Sequence, residues 1–213
     1  MIITVFGATG QVGKRIIEQA LSKNYTIKAF SRNIETLIDK DLHDEHFNAI
    51  KGYVFDEASV LKAIMGSDAV LSTLGGSFDG ADHTRSLGIK NIVQQMQKAG
   101  VKRIIALGGK GILNETDHSY IIDNPDYPKM FLPVGREHMQ AFLYLKQSSL
   151  NWSFLCAPDI LDKEATGKYI VNTDYPPSPD LNKIAAGDIA DCMLKELLEN
   201  NFIDHRIGIS ASE

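Results

Sequence analysis

The sequence alternates short apolar runs with longer segments whose apolar residues recur at helical spacing. The run IITVF (residues 2–6) is followed by GQVGKRIIEQALSK, where Val12, Ile16, Ile17 and Ala20 repeat every three to four positions. Further strand-like runs are TIKAF, FNAIK, AVLSTL, RIIALG, NWSFLCA, KYIVNT and HRIGIS. Because most of these runs are apolar throughout, they indicate parallel strands covered by helices on both faces. The pattern predicts an α/β fold with a doubly wound parallel sheet.

We predict one domain for residues 1–213, because no linker-like stretch divides the chain. Helices are predicted near residues 34–40, after a cap at Asp56, over 83–99 before Gly100, over about 134–147, and from Gly187 onward. An irregular, proline-containing segment, about residues 109–133, follows the end of a central strand, where such sheets bind ligands. We therefore predict that it acts as a lid. The residues after Pro158 are predicted to form a small extension on the substrate side.

Charge and cysteine content exclude several classes of function. The formal net charge is −5 and no basic run occurs, which argues against a nucleic-acid partner. Cys156 and Cys192 have no partners at metal-ligand spacing, so we expect reduced packing thiols and no metal site. The first residues lack the features of a signal peptide or membrane span, so we expect a soluble, cytoplasmic protein. The oligomeric state is left open.

A glycine-rich turn, VFGATGQVG, separates the first predicted strand from the first predicted helix. Gly7, Gly10 and Gly13 have the spacing that lets a backbone turn sharply and approach a pyrophosphate, with the helix N-terminus facing the anion. An ordinary tight turn is the alternative, but the position after the first strand favours dinucleotide binding. The backbone at Thr9, Gln11 and Val12 would then surround the phosphates.

The end of the second predicted strand bears on the choice of dinucleotide. NAD-binding proteins of this kind place an Asp or Glu there to bind the ribose 2′-hydroxyl, whereas this chain has Ser31-Arg32-Asn33. The Arg32 guanidinium is suited to a 2′-phosphate. The sequence therefore predicts NADP(H) in preference to NAD(H), with a solvated arginine as the alternative.

Several segments together resemble the atypical short-chain dehydrogenase/reductases, over nearly the whole chain. They are VFGATGQVGKRIIEQAL, FSRN, GIKNIVQQMQKAGVKRIIALG, EHMQAFLYLKQSSLNWSFLCAPDI, TGKYIV and GDIADCML. Within this group the chain is most similar to the biliverdin reductase B or NADPH-flavin reductase type and to its NAD(P)H-binding, NmrA-like relatives. The resemblance implies a Rossmann-like domain that uses NADP(H) and a shallow site for flavins or other flat acceptors.

The resemblance also implies site residues, and the chain departs from the family at three of them. It implies that the pyrophosphate is bound by Gly7, Thr9, Gly10, Gln11 and Val12, and that the 2′-phosphate is bound by Arg32. The residues implied to line the ribose and nicotinamide are Thr73, Leu74, Gly75, Leu107, Gly108, Pro158 and Ile160. His138 matches a histidine near the cofactor. Tyr53 stands where the family often has an Asp beside the adenine, and the nearby Asp56 lies three residues further along the chain. Gly109 stands in place of an active-site serine, and Asp159 stands in place of a second histidine.

No tyrosine of the chain is followed four residues later by a lysine. Carbonyl-reducing members of the wider superfamily use this pair as a proton donor, because the ammonium lowers the pKa of the phenol. Its absence argues against alcohol dehydrogenase, epimerase and dehydratase chemistry. Hydride transfer to a flavin or quinone asks less of the protein, since the proton can come from water.

His138 is the candidate catalytic residue, as a hydrogen-bonding partner of cofactor or substrate. The alternative is a histidine packed on the helix face that carries Ala141, Phe142 and Leu145. Lys110, Arg136 and Tyr120 are weaker candidates for contact with an anionic acceptor, and His83 is expected at the surface or at a helix cap.

Two functions remain open from the sequence. The first is an NADP(H)-dependent oxidoreductase that passes hydride to a flat acceptor such as a flavin or quinone. The second is a non-catalytic, dinucleotide-sensing regulator of the NmrA type, which the loss of the serine and the second histidine keeps open. An epimerase acting on a sugar nucleotide would need the missing Tyr/Lys pair and a larger C-terminal domain.

Overall fold

A computed structural model describes residues 1–38 and 45–212. Its central sheet has eight strands, which are β1 (Ile2–Phe6), β2 (Thr26–Ser31), β3 (Phe47–Lys51), β4 (Ala69–Ser72), β5 (Arg103–Gly109), β8 (Asn151–Ala157), β10 (Tyr169–Thr173) and β12 (His205–Ala211). Their order across the sheet is β10-β12-β8-β5-β4-β1-β2-β3, and all neighbouring pairs are parallel except β10–β12. The predicted doubly wound parallel fold is confirmed.

Helices cover both faces of this sheet. They are α1 (Gln11–Ser22), α2 (Glu35–Ile38), α3 (Glu57–Ile64), α4 (Thr84–Ala99), α5 (Leu132–Lys146) and α6 (Ala186–Glu199). Helices α1 and α6 pack together on one face, while α3, α4 and α5 pack in a row on the other. The apolar side chains accordingly form two buried clusters, one on each side of the strands. This burial explains why the strand sequences are apolar on both faces.

Two helix boundaries follow directly from their end residues. The Asp56 carboxylate accepts from the backbone N–H groups of Ala58 and Ser59 and so caps α3, as predicted. Gly100 ends α4 at a φ of 75°, a left-handed conformation that glycine adopts without a steric penalty. The helix predicted near residues 34–40 is present as the short α2, and its last two predicted residues lie outside the described part of the chain.

The segment predicted as irregular, residues 109–133, contains short ordered elements. These are a hairpin of β6 (Asn114–Thr116) and β7 (Ser119–Tyr120) and the 3-10 helices Lys110–Ile112, Ile121–Asp123 and Lys129–Phe131. A second small sheet pairs β9 (Asp159–Leu161) with β11 (Lys183–Ala185). The hairpin follows the carboxyl end of β5 in the chain, and β9 follows the carboxyl end of β8. That residues 109–133 move as a lid stays a prediction.

Asp188, at the start of α6, fixes the chain that leads into β10. Its buried carboxylate accepts from the backbone N–H groups of Thr166 and Gly167 and from the Thr166 hydroxyl.

The two cysteines, Cys156 and Cys192, are free and buried. No helix in residues 1–38 and 45–212 is long and apolar enough to cross a membrane. Within the same residues no cluster of three or more His, Cys, Asp or Glu side chains could hold a metal ion.

Candidate functional site

A large cleft of about 1090 Å³ runs across the carboxyl ends of the parallel strands. It crosses the point between β1 and β4 where the strand order reverses, which is the usual ligand position in such sheets. The structure brings every site residue implied by the resemblance to this cleft: Gly7, Thr9, Gly10, Gln11, Val12, Arg32, Thr73, Leu74, Gly75, Leu107, Gly108, His138, Pro158 and Ile160. Its volume exceeds that of a typical small-ligand pocket, roughly 300–1,000 Å³. One end lies near β2 and the other between β5, β8 and the segment 109–133.

The glycine turn between β1 and α1 is held in a shape that side chains would prevent. Gly7 has a φ of 77°, and a Cβ atom there would lie 2.5 Å from the Thr73 carbonyl oxygen. A Cβ on Gly13 would lie 2.3 Å from the Gly7 carbonyl oxygen, so α1 starts directly against the turn. The Gly10 amide donates to the Gly7 carbonyl over 3.0 Å and closes the loop. Each close approach requires glycine at these two outer positions.

The N-terminus of α1 faces this turn without a side-chain cap. Gly10 occupies the N-cap position, no side chain in the described part of the chain accepts from the first-turn N–H groups, and the first turn contains no acidic residue. Unpaired N–H groups and the positive end of the helix dipole therefore remain available to an anion. The residues present fit a bound pyrophosphate, as the sequence predicts.

The end of the cleft near β2 carries a cation and two aromatic rings. Arg32 is exposed, and its guanidinium carbon lies 5.9 Å from the centre of the Tyr53 ring, which contacts Phe55 edge to face. The hydroxyl groups of Thr9 and Ser31 are hydrogen-bonded over 2.9 Å and join the glycine turn to β2.

No carboxylate of the described residues lines this end of the cleft. The Asp56 carboxylate is already occupied as the cap of α3, so it does not replace the family's Asp beside the adenine. This end therefore fits a phosphate better than it fits a bare ribose hydroxyl.

The floor of the cleft is made of backbone from β4, β5 and β8. The Thr73 hydroxyl donates to the carbonyl oxygens of Phe6 and Gly7, so this side chain supports the glycine turn. A Cβ on Gly75 would meet no atom within 4 Å, whereas one on Gly108 would lie 2.6 Å from the Phe154 ring. Gly108 is thus supported from behind by the core, and Gly75 is open.

His138 lies on α5 against the floor of the cleft. A Cβ atom on Gly109 would lie 2.9 Å from His138 Cδ2, so the glycine leaves the space that the imidazole uses. His138 Nδ1 is enclosed and has no hydrogen-bond partner among the described residues. Burial, together with the positive charge of the nearby Arg85 guanidinium, lowers the pKa of His138 to about 3. The ring is therefore neutral near pH 7.

The three weaker candidates have different places. Tyr120 and Arg136 do not line the cleft, because Tyr120 packs against Arg206 and Arg136 lies beside a separate shallow depression. Lys110 does line it, but its ammonium is paired with Asp180. His83, expected at the surface or at a cap, occupies the N-cap position of α4 without a side-chain cap bond, and its Nδ1 pairs with Glu137 over 2.8 Å.

Sequence reasoning missed the aromatic residues at the far end of the cleft. Phe78, Tyr127 and Phe131 line it from two different loops. These residues belong to no strand or helix of regular period, so no spacing pattern distinguishes them from solvated loop residues. The prolines nearby indicated a loop, but not which side chains it would turn inward.

Comparisons with known proteins agree with this geometry. The model of a family described as NAD(P)H-binding matches residues 7–200. An uncharacterized Bacillus subtilis protein, YwnB, is 25% identical over 174 residues, which are 79% of this chain and 78% of that protein. A crystal structure of a Streptococcus pneumoniae protein, described there as a proposed NADH-flavin reductase, is 26% identical, covers 100% of both chains and superposes with a TM-score of 0.82. The crystal structure of a proposed epimerase from Bacteroides thetaiotaomicron is 26% identical, covers 100% of this chain and 97% of that one, and has a TM-score of 0.85.

Proposed function

Since the chain belongs to the NAD(P)H-binding family, we propose that it is an oxidoreductase that uses NADP(H) to reduce a flat acceptor such as a flavin or quinone. The observation that carries this proposal is the continuity of the cleft. The glycine turn, the open N-terminus of α1 and Arg32 lie at one end, and an aromatic wall lies at the other. One cavity therefore has room for a dinucleotide and a second flat molecule side by side.

When bound, the reduced dinucleotide would supply a hydride, and the acceptor would take one proton from water to complete its two-electron reduction. The chain's own residues bind and orient. The glycine turn and α1 hold the phosphates, and Gly108 and Gly75 form a floor without side chains that allows rings to approach the backbone. His138, neutral at pH 7, supplies a hydrogen-bonding edge without a charge.

Arg32 supports NADP(H) in preference to NAD(H). Arg32 is exposed, directly follows β2 and contacts the Tyr53 ring. The described residues around it present no carboxylate to a ribose hydroxyl. A guanidinium binds a phosphate monoester through two parallel N–H donors, whereas it gains little from a neutral hydroxyl.

We further propose the flavin-reductase type within this family. The name of the Streptococcus pneumoniae relative supports it, as do the aromatic residues of the cleft. The alternative is a dinucleotide-sensing regulator, and Gly109 favours it because this position lacks the polar side chain that the reductases carry.

Binding and turnover can be tested separately. Calorimetric titration with NADP+ and NAD+ is expected to give tighter NADP+ binding, and Arg32→Ala is expected to weaken NADP+ by about tenfold or more while leaving NAD+ unchanged. Arg136→Ala, an exposed arginine outside the cleft, is the matched control. Equal affinities that Arg32→Ala does not alter would refute the cofactor assignment.

Turnover is measured as NADPH oxidation with FMN, riboflavin and quinones as acceptors. Oxidation by at least one acceptor, saturable in both substrates, is the expected result. Tight NADP+ binding without oxidation by any acceptor would exclude the reductase and leave the sensor.

A further inference from the structure

We propose that the far end of the cleft selects an uncharged, flat ring acceptor bearing a carbonyl oxygen, and that the Tyr127 hydroxyl is the donor that binds this oxygen. Quinones and phosphate-free flavins share this chemistry. The inference rests on the proposed reductase function and adds to it the charge of the substrate and the residue that recognises it.

The far end of the cleft has an apolar wall with aromatic rings on opposite sides. Six residues form this wall, which we call the acceptor wall. They are Phe78, from the loop after β4, and Ile121, Tyr127, Pro128, Phe131 and Val134. Phe78 is 61% exposed, although a ring of this size is usually buried. Gly80, in the same loop, approaches Pro133 so closely that a Cβ atom would lie 2.9 Å from the proline ring. The two sides of the wall are therefore held in contact, and the Phe78 ring lies 5.5 Å from the guanidinium carbon of Arg85.

The cations near the acceptor wall are already occupied. The Arg85 guanidinium donates to the carbonyl oxygens of Gly76 and Ser77 over 2.8 and 3.0 Å, and the residue is only 8% exposed. Lys110 is paired with the carboxylate of Asp180 and also donates to Asn182. Burial alone would raise the pKa of Asp180, but the hydrogen bond from Lys110 and the Asn182 amide lower it, so the carboxylate stays charged.

The remaining charges at this end do not favour an anion. His138 is neutral, and Asp159 adds a carboxylate to the lining. A phosphate group on the acceptor would therefore lose water and meet carboxylates, without a free cation among the described residues of this end to replace its hydration. An uncharged ring meets no such cost, and the aromatic side chains offer it stacking contacts.

Tyr127 provides the one polar group of the acceptor wall. Its hydroxyl oxygen fills the space that side chains on Gly111 and Gly135 would need, 2.6 and 3.4 Å from where their Cβ atoms would be. Within residues 1–38 and 45–212 this hydroxyl has no hydrogen-bond partner, whereas those of Tyr169 and Tyr175 bind Asp191 and Asp117. Burial raises the pKa of Tyr127, so the phenol keeps its proton and acts as a donor. A carbonyl oxygen on the ring of the substrate would supply the hydrogen-bond acceptor that the Tyr127 hydroxyl lacks among the described residues.

The test compares riboflavin with FMN, which have the same ring system and differ by one phosphate. Binding to the protein saturated with NADP+ is followed by quenching of flavin fluorescence, and NADPH oxidation is followed in parallel. Menadione and its sulfonated derivative form a second neutral and charged pair, which separates a quinone site from a flavin site. We expect the neutral member of at least one pair to bind about tenfold more tightly or better.

Two variants test the cause. Asp180→Asn releases Lys110 from its carboxylate and is expected to improve FMN binding several-fold while leaving riboflavin unchanged. Tyr127→Phe removes only the hydroxyl and is expected to weaken neutral acceptors by about three- to tenfold. Tyr144→Phe, on α5 and outside the cleft, is the control and should have no effect.

The outcomes distinguish this inference from the proposed function. Selective binding of neutral rings supports the inference, and if no NADPH is oxidised then only the reductase function fails. Equal or tighter binding of the charged members overturns the inference while oxidation upholds the reductase. Failure of every acceptor to bind overturns the inference, as does an unchanged affinity in Tyr127→Phe.

Discussion

Gly109 and His138 show how one missing side chain changes the chemistry available in a site. Gly109 stands where the sequence resemblance implies a serine, and the imidazole of His138 fills the space that a side chain at this position would take. The ring lies close enough to the backbone to lose most of its hydration, and none of the described residues gives its Nδ1 a hydrogen bond in return. A histidine in this state is a neutral contact surface rather than a proton reservoir.

The low pKa of His138 predicts a pH dependence of stability. The folded-state pKa is about 3, against roughly 6.5 in an unfolded chain. Between these values the unfolded state binds one more proton, so the free energy of unfolding falls as the pH drops from 6.5 towards 3, by at most about 1.4 kcal/mol per pH unit from this group. Denaturation of wild type and His138→Gln at pH 7 and pH 4.5 should show a smaller acid loss in the variant.

His83→Gln is a control with the opposite sign. The hydrogen bond that His83 donates to the Glu137 carboxylate raises the pKa of His83, so the contribution of this pair to stability is present at low pH and is lost as the pH rises. An identical acid loss in wild type and His138→Gln would show that His138 takes up a proton in the folded protein as easily as in the unfolded chain.

At the scale of elements, two glycines of the turn between β1 and α1 have different roles, one in packing and one in phosphate binding. Gly13 is needed for the close packing of α1 against the turn, because a Cβ atom would lie 2.3 Å from the Gly7 carbonyl oxygen and 2.9 Å from the Ala8 Cα. Gly10 has an ordinary φ of −72°, and the nearest atom to an added Cβ is 3.3 Å away. The motif spacing is the same for both, but only Gly10 faces the space where a phosphate would approach.

We therefore expect Gly10→Ala and Gly13→Ala to differ. Gly10→Ala should change the unfolding free energy by less than about 1 kcal/mol and should weaken dinucleotide binding, because the methyl group narrows the phosphate side of the turn. Gly13→Ala should cost about 1–3 kcal/mol or more through overpacking. Thermal denaturation together with calorimetric titration of NADP+ measures both effects, and equal losses of stability in the two variants would contradict this division.

The elements that the sequence predicts are those with a local signal. The strand β1, the cap at Asp56 and the end of α4 at Gly100 each follow from residue type and periodicity within a few positions. The pair of β9 and β11 has no such signal, since each strand has three residues and its partner is more than twenty residues away.

The same distinction applies to the site. The glycine spacing and Arg32 indicated one end of the cleft, because phosphate binding needs a particular backbone and charge. The opposite end depends on contacts between distant residues: Lys110 with Asp180, and Tyr127 beside Gly111 and Gly135. Loop backbones set these contacts, and residue types alone do not predict them.

At the scale of the whole molecule, Arg206 connects the segment 109–133 to the sheet. It lies on β12 and is 7% exposed, with its guanidinium 5.1 Å from the centre of the Tyr120 ring and 5.0 Å from that of Phe142. It donates to the Ile112 carbonyl and the Asn114 side chain at the start of the segment. An acidic partner, Asp174, accepts from its Nε and fixes its direction. One side chain thus joins β12, α5 and the first turns of the segment that carries Tyr127.

Replacing Arg206 by lysine is expected to loosen this segment before the rest of the fold. Lysine keeps the charge but loses the planar stack and the forked donors that bind the Ile112 carbonyl and the Asn114 side chain. We expect a loss of about 2–4 kcal/mol in unfolding free energy. Hydrogen exchange should rise first in residues 110–124, and acceptor affinity should fall more than NADP+ affinity, because Arg206 supports the acceptor end alone.

The matched control is Arg15→Lys. Arg15, like Arg206, forms ion pairs, but its two partners, Asp162 and Glu164, are 71% and 79% exposed. Arg15→Lys should therefore lower the free energy of unfolding by less than about 1 kcal/mol. Equal destabilisation by the two substitutions, or an unchanged exchange rate over residues 110–124 in Arg206→Lys, would show that the segment is held by its own hairpin and 3-10 turns. In that case acceptor binding should be insensitive to Arg206, and the shape of the acceptor wall would have to be set by Gly80 against Pro133 and by the Tyr127 contacts alone.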